Sequence, residues 1–202
     1  SVTTSPTVTY TGSLPAICET STSFSLYSAG GVSPSGGFFS GSGVTGSNFN
    51  ASVAGSTTSP HTITYTVFNG VCSSSATNSI EVHSLPIVSY TGILPTQCES
   101  STSTDLLSIG SVSPANGTFS GNGVNGTNFN ASLAGAAGSP HTITYTVVNG
   151  ACTATATNEI HVDESPNISF TGNLPMQCES DSILDLTNYI SASTYSGTFS
   201  GN

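Results

Sequence analysis

Five cysteines are the residues best placed for chemistry in this 202-residue chain. Cys18, Cys98 and Cys178 are spaced 80 apart, and so are Cys72 and Cys152. No CxxC pair or Cys/His cluster occurs, so metal binding and dithiol catalysis find no ligand set, and disulfide formation is the chemistry left. Within each complete period the two cysteines lie 54 apart, which predicts the bridges Cys18–Cys72 and Cys98–Cys152. Each would close a loop worth about 4 kcal/mol on the chain-entropy model. Cys178 holds the first-cysteine position of a third period, and its partner is expected beyond the end of the sequence.

The other reactive-looking groups read better as structure. Gly41-Ser-Gly43-Val-Thr-Gly46 and Gly121-Asn-Gly123-Val-Asn-Gly126 match GxGxxG. That motif needs a following helix and an acid about 20 residues on to hold a dinucleotide, whereas after Gly46 the first acid is Glu81. Turns are the expectation. Ser59-Pro60-His61 and Ser139-Pro140-His141 bring a hydroxyl near an imidazole without a local carboxylate to orient it, so each His is expected to cap a strand entry. Glu19, Glu99 and Glu179 follow the first cysteine in all three copies. Asp163 and Glu164 lie beside the second junction, where calcium is the one cofactor the acids suggest. The first junction has His83 and Ser84 there, and no DxDxDG loop exists, so solvated acids are the expected state. Asn50, Asn116, Asn125, Asn130 and Asn167 open N-x-Ser/Thr sequons, which would coat the protein in a eukaryotic secretory pathway and mean nothing in a bacterial one.

The period organises everything else. Residues 7–86 and 87–166 align without a gap and agree at well over half of their positions, and a third copy starts at Pro166. The expected domains are 1–85, 86–165 and 166–202, the last the opening part of a third unit. Tandem units are selected for stacking or reach, which points to a spacer more than to an enzyme. There is no Lys or Arg against ten acids, a net charge of −10. Such a chain cannot neutralise phosphates, so nucleic acid is excluded as a partner, and anionic membranes are disfavoured. No apolar run is long enough to span a membrane.

Short strands between Gly, Asn, Pro and Ser turns predict an all-β unit. Its clearest element is a hairpin, His61 to Phe68, then Asn69-Gly70, then Val71 to Val82. A two-residue Asn-Gly turn would set Phe68 against Val71 and Val67 against Cys72. Ile63, Tyr65, Val67, Cys72, Ala76, Ile80 and Val82 then face inward, as do Ile143, Tyr145, Val147, Cys152, Ala156, Ile160 and Val162 in the second unit. Val8 and Tyr10 predict a first strand, Cys18 marks a second, Phe24 and Leu26 begin another, and Phe38-Phe39 and Phe49 supply central strands. About seven short strands tied by one long-range bridge suggest tandem immunoglobulin-like β-sandwiches of 80 residues. The Ser5-Pro6, Leu85-Pro86 and Ser165-Pro166 connections are short and stiff, which predicts an end-to-end rod.

The string Gly117-Thr-Phe-Ser-Gly-Asn-Gly-Val, with Phe129, Ala134-Gly135, His141-Thr-Ile-Thr-Tyr-Thr146 and Asn149-Gly150-Ala-Cys152, resembles the immunoglobulin-like tandem repeats of large secreted and surface proteins of the Bacteroidota. These include gliding-motility adhesins and other cargo of type IX secretion. The resemblance implies an extracellular, cell-surface protein whose repeats form a non-catalytic stalk or fibre. Neighbouring repeats of the same chain are its expected partners, with self-association into a filament or binding of surface glycans as further ones. The other reading is a glycan- or protein-binding module of a secreted multidomain protein.

Overall fold

The computed structural model describes residues 4–192 and 196–200. The first unit runs β1 (Thr9–Tyr10), β2 (Ile17–Cys18), β3 (Phe24–Ser25), α1 (Leu26–Ala29) and β4 (Val32–Ser33). It continues with β5 (Phe38–Ser40), β6 (Val44–Thr45), β7 (Asn48–Phe49), α2 (Ala51–Ala54), β8 (His61–Asn69), β9 (Cys72–Ile80) and β10 (Val82–His83). The second unit repeats this order. Its members are β11 (Ser89–Tyr90), β12 (Gln97–Cys98), β13 (Thr104–Asp105), α3 (Leu106–Ile109), β14 (Val112–Ser113) and β15 (Thr118–Ser120). Then follow β16 (Val124–Asn125), β17 (Asn128–Phe129), α4 (Ala131–Ala134), β18 (His141–Asn149), β19 (Cys152–Ile160) and β20 (Val162–Asp163).

All-β character holds, although the two complete units carry four single α-helical turns, α1 to α4, where the sequence pattern shows no helix. Leu26, expected in a strand, opens α1, where its side chain is fully buried. Asn50 and Asn130, the first residues of two sequons, cap α2 and α4 by accepting the amide hydrogens of Ser52 and Ser132 at 3.0 Å. A short polar side chain satisfies one of the amides that a helix start leaves unpaired.

Each unit is built from four small sheets: β1–β4, β3–β7–β6 and β5–β8–β9 are antiparallel, and β2–β10 is parallel. The hairpin β8–β9 dominates. Ile63, Tyr65, Val67 and Ile80 are buried from it while the intervening Thr and Ser point outward, as the period of two requires. The register differs from the expected one by one residue on each strand. Asn69 pairs with Cys72 and Val67 with Ser74, so the turn residues are Gly70 and Val71. Gly70 takes φ +61°, the positive value that a II′ turn demands at its first central position. Because both strands shift together, the inward face is unchanged.

The two units have separate cores, one formed from residues between Tyr10 and Val82 and the other from Tyr90 to Val162. In each, a fully buried tyrosine pins a distant loop. The Tyr65 hydroxyl accepts from Gly37 N and donates to the Pro34 carbonyl, both at 2.8 Å. Tyr145 makes the same pair with Gly117 N at 2.7 Å and Pro114 O at 2.6 Å. The hydroxyls of Tyr10 and Tyr90 are buried without a partner, and burial pushes Tyr90 up to about 12. Residues of the third copy form β21 (Ile168–Phe170), a 3₁₀ turn at Leu186–Tyr189 and β22 (Ile190–Ala192). Ile168 and Phe170 there remain 62% and 65% exposed, whereas Tyr10 and Tyr90, at the Phe170 position, are buried.

Candidate functional site

Two of the cysteines that the sequence marks for chemistry, Cys18 and Cys152, meet at the junction between the units. β10 ends the first unit and β2 lies parallel to it, with Ile17 N donating to Glu81 O at 3.0 Å and Glu19 N to His83 O at 2.9 Å. This sets Cys18 beside His83 in the ladder. From the other side the turn of the β18–β19 hairpin folds back onto the same segment. Asn149 Nδ2 donates to the Ser84 carbonyl at 2.9 Å, and Cys152 Sγ lies 3.1 Å from the His83 carbonyl oxygen. Gly150, at φ +55°, leans so close to the His83 ring that a Cβ there would overlap it. Cys18 and Cys152 are bonded, their Cα atoms 4.8 Å apart and 134 residues apart in sequence.

The disulfide therefore joins the two units, in place of the expected bridges Cys18–Cys72 and Cys98–Cys152. The reason is the length of the hairpin. Cys18 lies beside His83, past the far end of β9, whereas Cys72 begins that nine-residue strand at the hairpin turn. Eight residue steps at about 3.3 Å put about 26 Å between the two ends of β9, far beyond the reach of a disulfide. The hairpin turn of the following unit reaches that end instead. The 80-residue period fits both pairings equally, since 54 + 80 = 134, so spacing alone could not choose. His83, which the sequence marks only as standing where the second junction has Asp163, is a contact residue of the junction.

Glu19, repeated in every copy, ties the same junction. Its carboxylate accepts from Ser56 Oγ at 2.7 Å and from Leu85 N at 2.9 Å. The Ser56 hydroxyl and then the Leu85 amide hold its pKa below the ordinary value of 4.5. A depressed carboxylate contributes stability that is present above its unfolded pKa and lost as pH falls through the folded one. Glu19→Gln is thus expected to flatten the acid limb of the stability profile below about pH 4.5, read from urea midpoints across pH; an unchanged limb would contradict the role given to this carboxylate.

The second junction repeats the ladder: Gln97 N donates to His161 O at 2.8 Å and Glu99 N to Asp163 O at 2.9 Å. Cys98 is a thiol here, with Ser100 Oγ at 3.2 Å and Ser165 Oγ at 3.4 Å. Those hydroxyls, Ser100 foremost, lower its pKa. Cys178 is an exposed thiol.

The remaining candidates do not assemble into sites. His61 and His141 are buried, and each donates from Nε2 to a carbonyl, Gly55 at 2.6 Å and Gly135 at 2.7 Å. Ser59 Oγ and Ser139 Oγ accept instead from Val82 N and Val162 N at 2.8 Å, so hydroxyl and imidazole serve different bonds. The GxGxxG glycines form the turns around β6 and β16. Among the described residues no three His, Cys, Asp or Glu side chains gather as a metal site, and no helix is long and apolar enough to cross a membrane. Comparison with family models, with curated proteins and with solved structures gives no match for the chain.

Proposed function

We propose that the chain is part of a non-catalytic extracellular stalk or fibre, built from immunoglobulin-like sandwiches in single file on a bacterial surface. The observation that carries this reading is the Cys18–Cys152 bond, which fastens one unit to the next across a short linker. Joints between independent domains are flexible unless a large or covalent contact restrains them. Here a proline-containing connection, a backbone ladder, a hairpin clasp and a disulfide all act on the segment Val82–Pro86. A covalent restraint at this joint suits a structure that must project and bear load, and it requires an oxidising compartment. Duplicated, ungapped units with separate cores fit a spacer, whereas a catalytic centre has no reason to recur in register.

Small-angle scattering tests this directly. The oxidised chain is expected to scatter as an elongated particle. Reduction should leave circular dichroism nearly unchanged while broadening the distance distribution as the joint loosens. A compact globule in the oxidised state would refute the stalk.

A further inference from the structure

The second junction carries the same half of the clasp that the first one uses. β12 and β20 pair in parallel with Gln97 opposite Val162 and Cys98 opposite Asp163, matching Ile17 with Val82 and Cys18 with His83. The amides of Gln97 and Glu99 close the same two hydrogen bonds as those of Ile17 and Glu19. Cys98 is thereby held in the orientation in which Cys18 meets its partner. The other half of the clasp, the hairpin turn, also behaves alike in both units. Asn149 grips the carbonyl of Ser84, and Asn69, one period earlier, grips the carbonyl of Thr4 at 3.3 Å. Gripping the segment just ahead of its own unit's first strand is therefore a property of the repeated turn.

We propose that Cys98 is the docking point for the Asn-Gly-Xaa-Cys hairpin of the unit that follows, and that their sulfurs join as Cys18 and Cys152 do. Resting on the stalk reading, this makes the bond a running stitch: the first cysteine of each unit is linked to the second cysteine of the next, so an array is fastened at every joint. The recognition needs little from side chains. The hairpin asparagine takes a backbone carbonyl, at Glu164 in place of Ser84, and the turn glycine leaves room for Asp163 where His83 stands at the first joint. The hydroxyls of Ser100 and Ser165 beside Cys98 favour the thiolate, the form that attacks in disulfide exchange. In that exchange the Cys98 thiolate attacks oxidised glutathione or an equivalent disulfide and expels one thiolate. The hairpin cysteine, having lost its proton, then displaces the second, so two thiols lose two protons and two electrons to one disulfide.

The test extends the chain in register. Appending a second copy of residues 123–165 after Asn202 completes the third unit, because 202 − 122 = 80. A Thr155→Ser change in the added copy marks its hairpin peptide by mass. After refolding in a glutathione buffer, non-reducing peptide maps are expected to join Cys98 to the added cysteine, beside an intact Cys18–Cys152. Cys98→Ser should abolish the first bond and leave the second. Joining of the added cysteine to Cys178, with Cys18–Cys152 intact, would overturn the proposal alone. Loss of Cys18–Cys152 as well would overturn the inter-unit reading beneath it. A second measurement needs no extension: in the folded 202-residue chain, alkylation should label Cys98 and spare Cys18 and Cys152. A bond from Cys98 to any cysteine of its own chain there would also overturn the proposal.

Discussion

Cys152→Ser is expected to destabilise the chain by about 5 kcal/mol, the chain-entropy value for a closed loop of this size. The bond spans 134 residues, among them most of the first unit and most of the second. Cutting it frees the unfolded ensemble and releases the β18–β19 turn from the linker. Because the two cores are separate, losing the crosslink should also resolve a single guanidinium transition into two. Cys18→Ser is expected to produce the same loss as Cys152→Ser, and the double substitution no more than either, since both remove one bond. Losses that add would mean that these sulfurs belong to different bridges.

Tyr145→Ala is expected to cost about 3–5 kcal/mol, because the ring is fully buried and its removal leaves a cavity in a packed core. The ring packs 4.7 Å from Phe119 and 6.3 Å from Tyr90, centroid to centroid. Tyr145→Phe separates the ring from its hydroxyl. It keeps the packing but strands Gly117 N and Pro114 O, for a loss of about 1–3 kcal/mol. Tyr65 in the first unit should respond alike, having the same two partners at Gly37 and Pro34. Urea midpoints for the four variants read these values. A Phe variant as stable as the parent would show that the loop does not depend on the hydroxyl.

The hairpin was legible in the sequence because alternation and a glycine turn are local signals that agree with each other. Ile63, Tyr65, Val67, Ile80 and Val82 are buried as the period of two demands. The turn's own position was misplaced by one residue because Asn69 and Gly70 both accept positive φ, and only the structure shows that Asn69 stays in the strand to reach Thr4. Leu26 was read as strand because its helical turn is too short to show a helical period. The partner of Cys18 was hidden for a different reason. It depends on the parallel pairing of β2 with β10, a contact across 65 residues that no local pattern encodes. A repeated spacing is also silent about whether a bridge stays within its unit or steps to the next. The geometry of one nine-residue strand settles what the spacing leaves open.

A non-reducing peptide map of the native protein tests the joint most directly. Trypsin has no Lys or Arg to cut at, but chymotrypsin, cutting after Tyr, Phe and Leu, separates Cys18, Cys72, Cys98 and Cys152 into four different peptides. The peptide holding Cys18 should be found joined to the one holding Cys152. Recovery of Cys18 joined to Cys72, with Cys98 joined to Cys152, would mean that the units are closed on themselves and that the joint between them is not covalent.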